Sequence, residues 1–245
     1  MYNPRYGSGN NSPFGGGPFR SRYQYETIPY GYQGVQAGSL IGKVMGLLAF
    51  SFIFAAIGAF VGFAVGLNFG TYWLVAIAGL VVLIALQFLI QKSGLNLFLL
   101  YLFTFLEGMS LSPLLSYYVQ TNSNILGEAF IITALTSLGL SLYAWTTKRD
   151  FSRIGDYLFF GLILLIVASI VGIFLHMTLL YLIISIVGIA IFSGYVLFYV
   201  QRAKYMADTM PNAIGLTVSI FITVLNLFLY ILQLLAILQG GDRRR

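Results

Sequence analysis

The sequence predicts an all-α integral membrane protein built as a bundle of seven transmembrane helices, and both its composition and its hydropathy pattern lead to that fold. Of the 245 residues, 59% are hydrophobic and only 8% are charged, whereas a soluble domain carries about 25% charged residues. A soluble fold of this size could not hide so much apolar surface from water. We therefore expect lipid to surround most of the chain.

Seven apolar runs follow one another along the chain, each close to the ~20 residues that cross about 30 Å of hydrocarbon as a helix. Inside a bilayer, an exposed strand or loop would leave backbone groups without hydrogen bonds, so we expect helices. The links between the runs are short, which makes neighbouring helices antiparallel. The approximate limits of the seven segments are 41–66, 72–91, 96–119, 126–147, 156–176, 179–201 and 213–238.

The regions outside the bundle are short and polar. Residues 1–38 are rich in Gly, Tyr, Pro, Ser and Asn, contain interspersed arginines and lack hydrophobic periodicity, so we predict a disordered tail. This tail is either an arm that binds partners or lipid, or a low-complexity segment without a binding role. The transmembrane domain is predicted to occupy 39–239, followed by a basic C-terminal tail at 240–245.

Lysines and arginines alternate between the two sides of the predicted bundle. They occur before and at the start of segment 1 and in the links after segments 2, 4 and 6, whereas the links after segments 1, 3 and 5 contain none. Because cytoplasmic loops are enriched in Lys and Arg, we predict a cytoplasmic N-terminus. The three arginines at 243–245 would then lie outside if segment 7 spans; a re-entrant segment 7 is the alternative. The basic residues on the other side outnumber them and favour a spanning segment.

The residue content excludes several classes of chemistry. There is no Cys, which excludes disulfides, Cys-ligated zinc, iron–sulfur clusters and thiol nucleophiles. The single histidine, His176, cannot form a multi-His metal site. Glycine motifs that bind nucleotide phosphates are absent, and Ser193-Gly194 is not a serine protease elbow because Ile191 occupies the position of the first glycine. We expect no enzyme activity, no cofactor, no metal site and no nucleic-acid partner.

Three sequence patches resemble the Bax inhibitor-1 (transmembrane Bax inhibitor motif) family. The first is EGMSLSPL at 107–114 in segment 3, and the second is LYAWTTKRDFS at 142–152, leaving segment 4. The third combines FSG at 192–194 in segment 6 with NLFLY at 226–230 in segment 7. The second patch is the most specific because it is long, polar and placed directly after the fourth segment. The resemblance covers about 40–238 and is closest to YccA-like prokaryotic members.

This resemblance implies a seven-helix fold with the last helix near the middle of the bundle. It also implies calcium leak across membranes, suppression of cell death in eukaryotic members and, for YccA-like bacterial members, association with a membrane-bound ATP-dependent protease. We therefore expect a multipass protein of a prokaryotic plasma (inner) membrane. Its expected activity is a slow, pH-responsive leak of calcium, protons or other cations. A non-conducting regulator that binds a membrane protease or another membrane protein complex is the alternative.

The family members that leak calcium carry two facing aspartates, late in the sixth helix and in the seventh, which form a pH-sensitive latch. Counting from the FSG and NLFLY motifs, Tyr199 and Thr223 stand at these two positions. Two close carboxylates share a proton and titrate at split pKa values, whereas a phenol titrates at about 10 and a threonine does not titrate. The resemblance therefore implies a protein without the di-aspartyl latch.

Glu107 lies midway along segment 3, where a charged side chain costs at least about 2.5–3.5 kcal/mol on insertion scales. We expect it to face the bundle interior, either in a cation or proton pathway or as a carboxyl that hydrogen-bonds neighbouring helices. Ser110, Ser112 and Pro113 follow it. The proline frees a backbone carbonyl, which either lines a pathway or is satisfied by the serine hydroxyls at a simple kink.

Segment 7 carries a polar stripe, because Ser219, Thr223, Asn226 and Gln233 fall on one helix face. Such a stripe either lines a weakly polar cavity or forms hydrogen bonds between helices. The candidate ion-pathway residues are Glu107, Ser110, Ser112, Thr223 and Asn226.

The remaining charges lie near the predicted membrane surfaces. Glu128 begins segment 4, where the helix dipole favours a carboxylate; a cation-collecting mouth is the alternative. A cytoplasmic basic cluster is expected to contact lipid headgroups, with a protein-docking patch as the alternative. This cluster consists of Lys148, Arg149, Arg153, Arg202 and Lys204.

Overall fold

The computed structural model describes the backbone of residues 33–242 and the side chains of residues 38–239. Six α-helices dominate this part of the chain, and all six are long and apolar enough to cross a membrane. The prediction of an all-α integral membrane protein is therefore confirmed. The helices are α1 Gln33–Ala64, α2 Tyr72–Leu89, α3 Leu95–Thr146, α4 Ile154–Leu175, α5 Thr178–Ala203 and α6 Met210–Asp242.

The third helix covers two of the segments that the sequence analysis separates. α3 has 52 residues and runs through both 96–119 and 126–147. Its backbone leaves helical geometry at Asn122, where φ is −162° and ψ is 84°. The stretch between the two predicted segments contains no proline, so its other residues can stay helical, and the break is confined to this one residue. The prediction of seven separate helices is not confirmed.

The predicted tails fall largely outside the described residues. α1 begins at Gln33, before the predicted start of segment 1, so the end of the predicted tail 1–38 is helical. Residues 1–32 and the arginines at 243–245 are not described, and the predictions made for them stay predictions.

α6 lies near the middle of the bundle, beside α1, α3 and α5. Its Phe221 is fully buried against Phe103 of α3 and Ala55 of α1. One helix turn or more further along, Leu227 is buried in a cluster that includes Leu165 of α4 and Ile184 of α5. The last helix therefore supplies apolar contacts to several neighbours, as expected from the resemblance.

Glycines set the closest approach between α1 and α3. A methyl group on Gly58 would collide with the backbone carbonyl of Phe105, and one on Gly108 would collide with the carbonyl of Ala55. In lipid, where apolar side chains gain little by leaving the solvent, such close backbone packing is a main source of helix association. The glycine of the EGMSLSPL patch is therefore a packing residue.

The outer helices leave space inside the bundle. The backbone of α2 runs close only to α3, and that of α4 runs close only to α5. Side chains of α2, α4 and the central helix α6 face one another across the remaining space, and the first of two cavities lies there.

Candidate functional site: two cavities along the last helix

Two cavities lie end to end along α6. The first, named cavity A, has a volume of about 200 Å³ and is bounded by α2, α4, α5 and the first half of α6. The second, named cavity B, has a volume of about 320 Å³ and is bounded by α4, α5 and the second half of α6. Each cavity occupies one half of the bundle, so together they follow most of the length of α6.

Cavity A contains both positions at which the resemblance places the latch. Tyr199 of α5 and Thr223 of α6 line it, together with Ser219 and Gln87. The hydroxyl of Thr223 donates a hydrogen bond to the Ser219 carbonyl at 2.7 Å, and that of Ser219 donates to the Gly215 carbonyl at 3.0 Å. Because both hydroxyl protons are used within the helix, these oxygens present lone pairs to a solute. Cavity A therefore offers hydrogen-bond acceptors without a carboxylate.

Cavity B also offers hydrogen-bond acceptors without a carboxylate. Its polar lining includes Asn226, Gln233, Ser169 and Tyr181. The Asn226 amide donates to the Ile222 carbonyl at 2.8 Å, and the Ser169 hydroxyl donates to its own helix at 2.8 Å. The carbonyl oxygen of the Asn226 side chain remains an acceptor. The four residues of the polar stripe are thus divided, two to each cavity.

A stacked aromatic pair contributes one ring to each cavity. Phe192 of α5 lines cavity A, and Tyr230 of α6 lines cavity B. Their rings stack with centroids 5.7 Å apart and planes inclined by 23°. The sequence analysis placed both residues in the third resemblance patch but assigned neither a role, because the patch joins two distant stretches of sequence.

Glu107, Ser110 and Ser112 line neither cavity. The Glu107 carboxyl lies half-buried beside α2, where a methyl group on Gly79 would stand 3.5 Å from its Oε1. The Ser110 hydroxyl donates to the Glu107 carbonyl at 2.8 Å. The structure thus brings Thr223 into one cavity and Asn226 into the other, and leaves the three α3 candidates away from both.

The Ser112 hydroxyl satisfies the backbone carbonyl that Pro113 frees, which is the simple-kink alternative of the sequence analysis. Pro113 has no N–H to donate to the carbonyl of Met109, one turn earlier. The Ser112 hydroxyl donates to that carbonyl instead, at 2.8 Å. A methyl group on Gly62 of α1 would collide with the same hydroxyl. The freed carbonyl is therefore satisfied inside the α1–α3 contact.

The basic cluster contains two different environments. Lys148, Arg149 and Arg153 are exposed. Lys204 instead donates to the backbone carbonyls of Ala144 and Trp145, at 2.8 and 2.6 Å, and so caps the end of α3. Partial burial lowers the pKa of this lysine below its ordinary value. Lys204 therefore joins α5 to α3 rather than only facing lipid headgroups.

A buried glutamine that the sequence analysis missed completes this junction. The Gln201 amide nitrogen donates to the Arg149 carbonyl at 2.5 Å, and its oxygen accepts a hydrogen bond from the Phe151 N–H. The only available signal was a glutamine at the end of an otherwise apolar helix. These hydrogen bonds join the end of the LYAWTTKRDFS patch to α5.

Polar contacts also join helix ends at both faces of the bundle. Lys43 of α1 forms a 2.9 Å ion pair with Asp208, just before α6. At the other end of α6, Gln239 accepts a hydrogen bond from Asn122 at 3.2 Å and donates one to Glu128 at 2.6 Å. Glu128 lies inside α3, beyond the break at Asn122, and its hydrogen-bond partner is the side chain of Gln239 in α6.

His176 adopts a left-handed conformation (φ 51°) at the end of α4 and is exposed.

The described residues contain no group of three or more His, Asp or Glu side chains that could hold a metal ion. This agrees with the absence of acidic residues from the linings of cavities A and B. The chemistry available in the two cavities is therefore that of neutral hydroxyls, side-chain amides and aromatic rings.

Residues 38–240 match the family described as inhibitor of apoptosis-promoting Bax1. The chain is 33% identical to an uncharacterized membrane protein of Vibrio cholerae over 202 residues, which cover 80% of this chain and 88% of the relative. It is 34% identical to an uncharacterized protein of Campylobacter jejuni over 196 residues, or 77% of this chain and 84% of the relative.

A viral protein is also similar. The Golgi anti-apoptotic protein of Vaccinia virus (strain Lister) is 30% identical over 147 residues, which cover 60% of each chain. The match of nearly the whole described bundle shows that this chain is a membrane protein of the Bax inhibitor-1/YccA-like family.

Proposed function

We propose that this chain is a bacterial plasma-membrane protein, without enzyme activity, that lets small cations leak slowly through the bundle along α6. The observation that supports this most directly is that Tyr199 and Thr223 line one cavity, where Ser219 also presents its oxygen. The Thr223 and Ser219 hydroxyls donate their protons within α6, so their neutral oxygens are suited to a cation that passes without being held. The leak operates without a di-aspartyl latch.

The proposed topology has seven crossings. A straight helix of 52 residues would be about 78 Å long, more than twice the thickness of the hydrocarbon core. The break at Asn122 divides α3 into two arms that each cross once. α6 crosses fully, because its start is tied to the Lys43–Asp208 pair and its end is tied to the α3 break through Gln239.

The proposed orientation has a cytoplasmic N-terminus. The exposed basic residues after α3 and the Lys43–Asp208 pair lie at one face of the bundle. The positive-inside rule assigns that face to the cytoplasm. A reporter fused after Arg245 is expected to give a non-cytoplasmic signal, with a fusion in the link between α2 and α3 as the cytoplasmic control. A cytoplasmic signal after Arg245 would rule out seven full crossings.

The cavity lining suggests which cations pass. Calcium is held best by six to eight oxygens that include carboxylates, whereas both cavities present hydroxyl, phenol and amide oxygens. Calcium bound this weakly leaves readily, as conduction requires. We therefore expect a slow leak with little discrimination between calcium and monovalent cations.

The deciding experiment is calcium entry into proteoliposomes that contain the purified protein, at about pH 6 and pH 8, compared with empty liposomes. Thr223→Val keeps the side-chain shape but removes the oxygen from cavity A, and we expect it to lower the flux several-fold. Thr133→Val is the matched control, because Thr133 is buried, bonds to its own helix at 2.7 Å and lines neither cavity. Absence of flux at both pH values would refute the leak.

A non-conducting regulator is the second candidate function. It is favoured by the exposed basic residues Lys148, Arg149 and Arg153, which lie beside the backbone held by Gln201. Such an ordered basic surface suits an acidic patch on a membrane-bound ATP-dependent protease. Replacing the three by glutamine is expected to abolish co-purification of the protease, while Lys92→Gln leaves it unchanged. Equal co-purification by both variants would contradict this role.

A further inference from the structure

We propose that the stacked rings of Phe192 and Tyr230 form a closed septum between cavity A and cavity B, so that each cavity takes water and small cations from its own face of the membrane. The inference extends the proposed leak along α6. It assigns the slow step of that leak to separation of the two rings.

The polar stripe of α6 supplies the first argument. Thr223 lines cavity A and Asn226 lines cavity B, yet they are about 4.5 Å apart along the helix axis. A continuous channel would be expected to expose both side chains to one space. Here the polar lining passes from one cavity to the other within a single helix turn, and each ring of the stacked pair lines one of the two cavities.

The second argument is the fit of the rings. Phe192 is only 6% exposed. A methyl group on Gly188 of α5 would stand 2.6 to 2.8 Å from ring atoms of Tyr230, so the tyrosine ring lies directly on the glycine backbone. The septum therefore depends on a position without a side chain, and the ring fills the space between α5 and α6.

The aromatic contact continues into cavity A. Tyr195 lies with its ring centroid 6.1 Å from that of Phe192 and stacks on Tyr199 at 5.7 Å and 15°. The faces of these rings offer no hydrogen bonds comparable to those of water. A narrow passage between the stacked faces of Phe192 and Tyr230 excludes water, and a passage that excludes water is closed to hydrated ions.

The test uses single cysteines, for which this chain provides a background without native thiols. Thr223→Cys and Asn226→Cys are placed in vesicles and treated with a charged, membrane-impermeant thiol reagent from one side or the other. We expect each cysteine to react from one side only, and the two to react from opposite sides. Reaction of both from the same side, of either from both sides, or of neither from any side would overturn the septum.

Opening the septum provides the second measurement. Adding Tyr230→Ala is expected to make the Thr223→Cys thiol reactive from both sides and to raise cation flux about tenfold, equivalent to about 1.4 kcal/mol of barrier. Phe228→Ala is the matched control, because Phe228 is an aromatic residue on the same helix that lines neither cavity. Unchanged labelling in Tyr230→Ala, when it elutes as wild type does on size exclusion, would overturn the assignment of the septum to this pair.

The two proposals fail in distinguishable ways. Side-specific labelling without any flux, in wild type and in Tyr230→Ala, would refute the leak and leave the septum standing. Flux in wild type together with two-sided labelling at Thr223→Cys would refute the septum and leave the leak standing.

Discussion

The side-chain amide of Gln201 donates a hydrogen bond to the backbone carbonyl of Arg149, and so joins the end of α5 to the link that leaves α3. Gln201 is only 3% exposed and also accepts a hydrogen bond from the Phe151 N–H. One side chain thus satisfies two backbone groups of the link, on either side of Asp150. The most specific sequence patch of the chain is held in place by a residue outside it.

Gln201→Ala is therefore expected to lower the stability of the protein. Two backbone groups lose their partner, at about 1–3 kcal/mol for each group left buried. The midpoint of thermal unfolding in detergent measures the loss. Gln91→Ala, at an exposed glutamine in the link between α2 and α3, serves as the control and should leave the midpoint within about a degree of wild type. Equal midpoints for the two variants would contradict the role of Gln201.

Gly108→Ala is expected to disrupt the contact between α1 and α3. The added methyl group would collide with the backbone carbonyl of Ala55, so the helices must separate at a cost of about 1–3 kcal/mol. Gly46→Ala is the control, because nothing lies within 4 Å of its added methyl group. Helix propensity favours alanine there by up to about 1 kcal/mol. A Gly108→Ala protein as stable as wild type would show that α1 and α3 are not in close backbone contact.

The ion pair of Lys43 with Asp208 predicts a loss of stability in acid. Burial alone would raise the pKa of Asp208, but hydrogen bonds from Lys43 and Ser39 and the charge of Lys43 outweigh it and hold the pKa below the ordinary 3.8. A carboxyl with a depressed pKa in the folded state stabilises the protein above pH 3.8. That stabilisation is lost as the pH falls below 3.8 and through the lower folded pKa.

The corresponding measurement is the unfolding midpoint in detergent between about pH 7 and pH 3, for wild type and Asp208→Asn. We expect the variant to be less stable at pH 7, and the difference to shrink toward zero at the acid end as the wild-type carboxyl is protonated. A constant difference over the whole range would show that the Asp208 charge does not contribute.

Glu107→Gln is expected to leave cation flux and its pH dependence unchanged. The carboxyl of Glu107 lies beside Gly79 of α2 and lines neither cavity along α6. Glutamine keeps the size of the side chain and removes its ability to carry a charge. The comparison is made in the proteoliposome assay against Thr223→Val. Loss of flux in Glu107→Gln alone would place the pathway between α2 and α3 instead of along α6.

Periodicity and composition were sufficient for the membrane class and for the polar face of the last helix. The spacing of Ser219, Thr223, Asn226 and Gln233 depends only on helix geometry, and these residues line the cavities as one of the two interpretations expected. Similarly, counting residues from the FSG and NLFLY motifs paired Tyr199 with Thr223, and both line cavity A. The pairing holds because the two motifs belong to α5 and α6, which pack against each other.

The sequence by itself determined an all-α membrane bundle of the Bax inhibitor-1 family with a polar stripe and without the aspartate pair. Only the tertiary structure decided that Glu107 faces α2, that Gln201 and Lys204 hold the end of α3, and that Phe192 meets Tyr230 between two cavities. Helical periodicity specifies which residues share a face, but the residue that each face meets depends on how closely helices approach. That approach is set by backbone contacts at glycines such as Gly58 and Gly108, which join residues far apart in the chain.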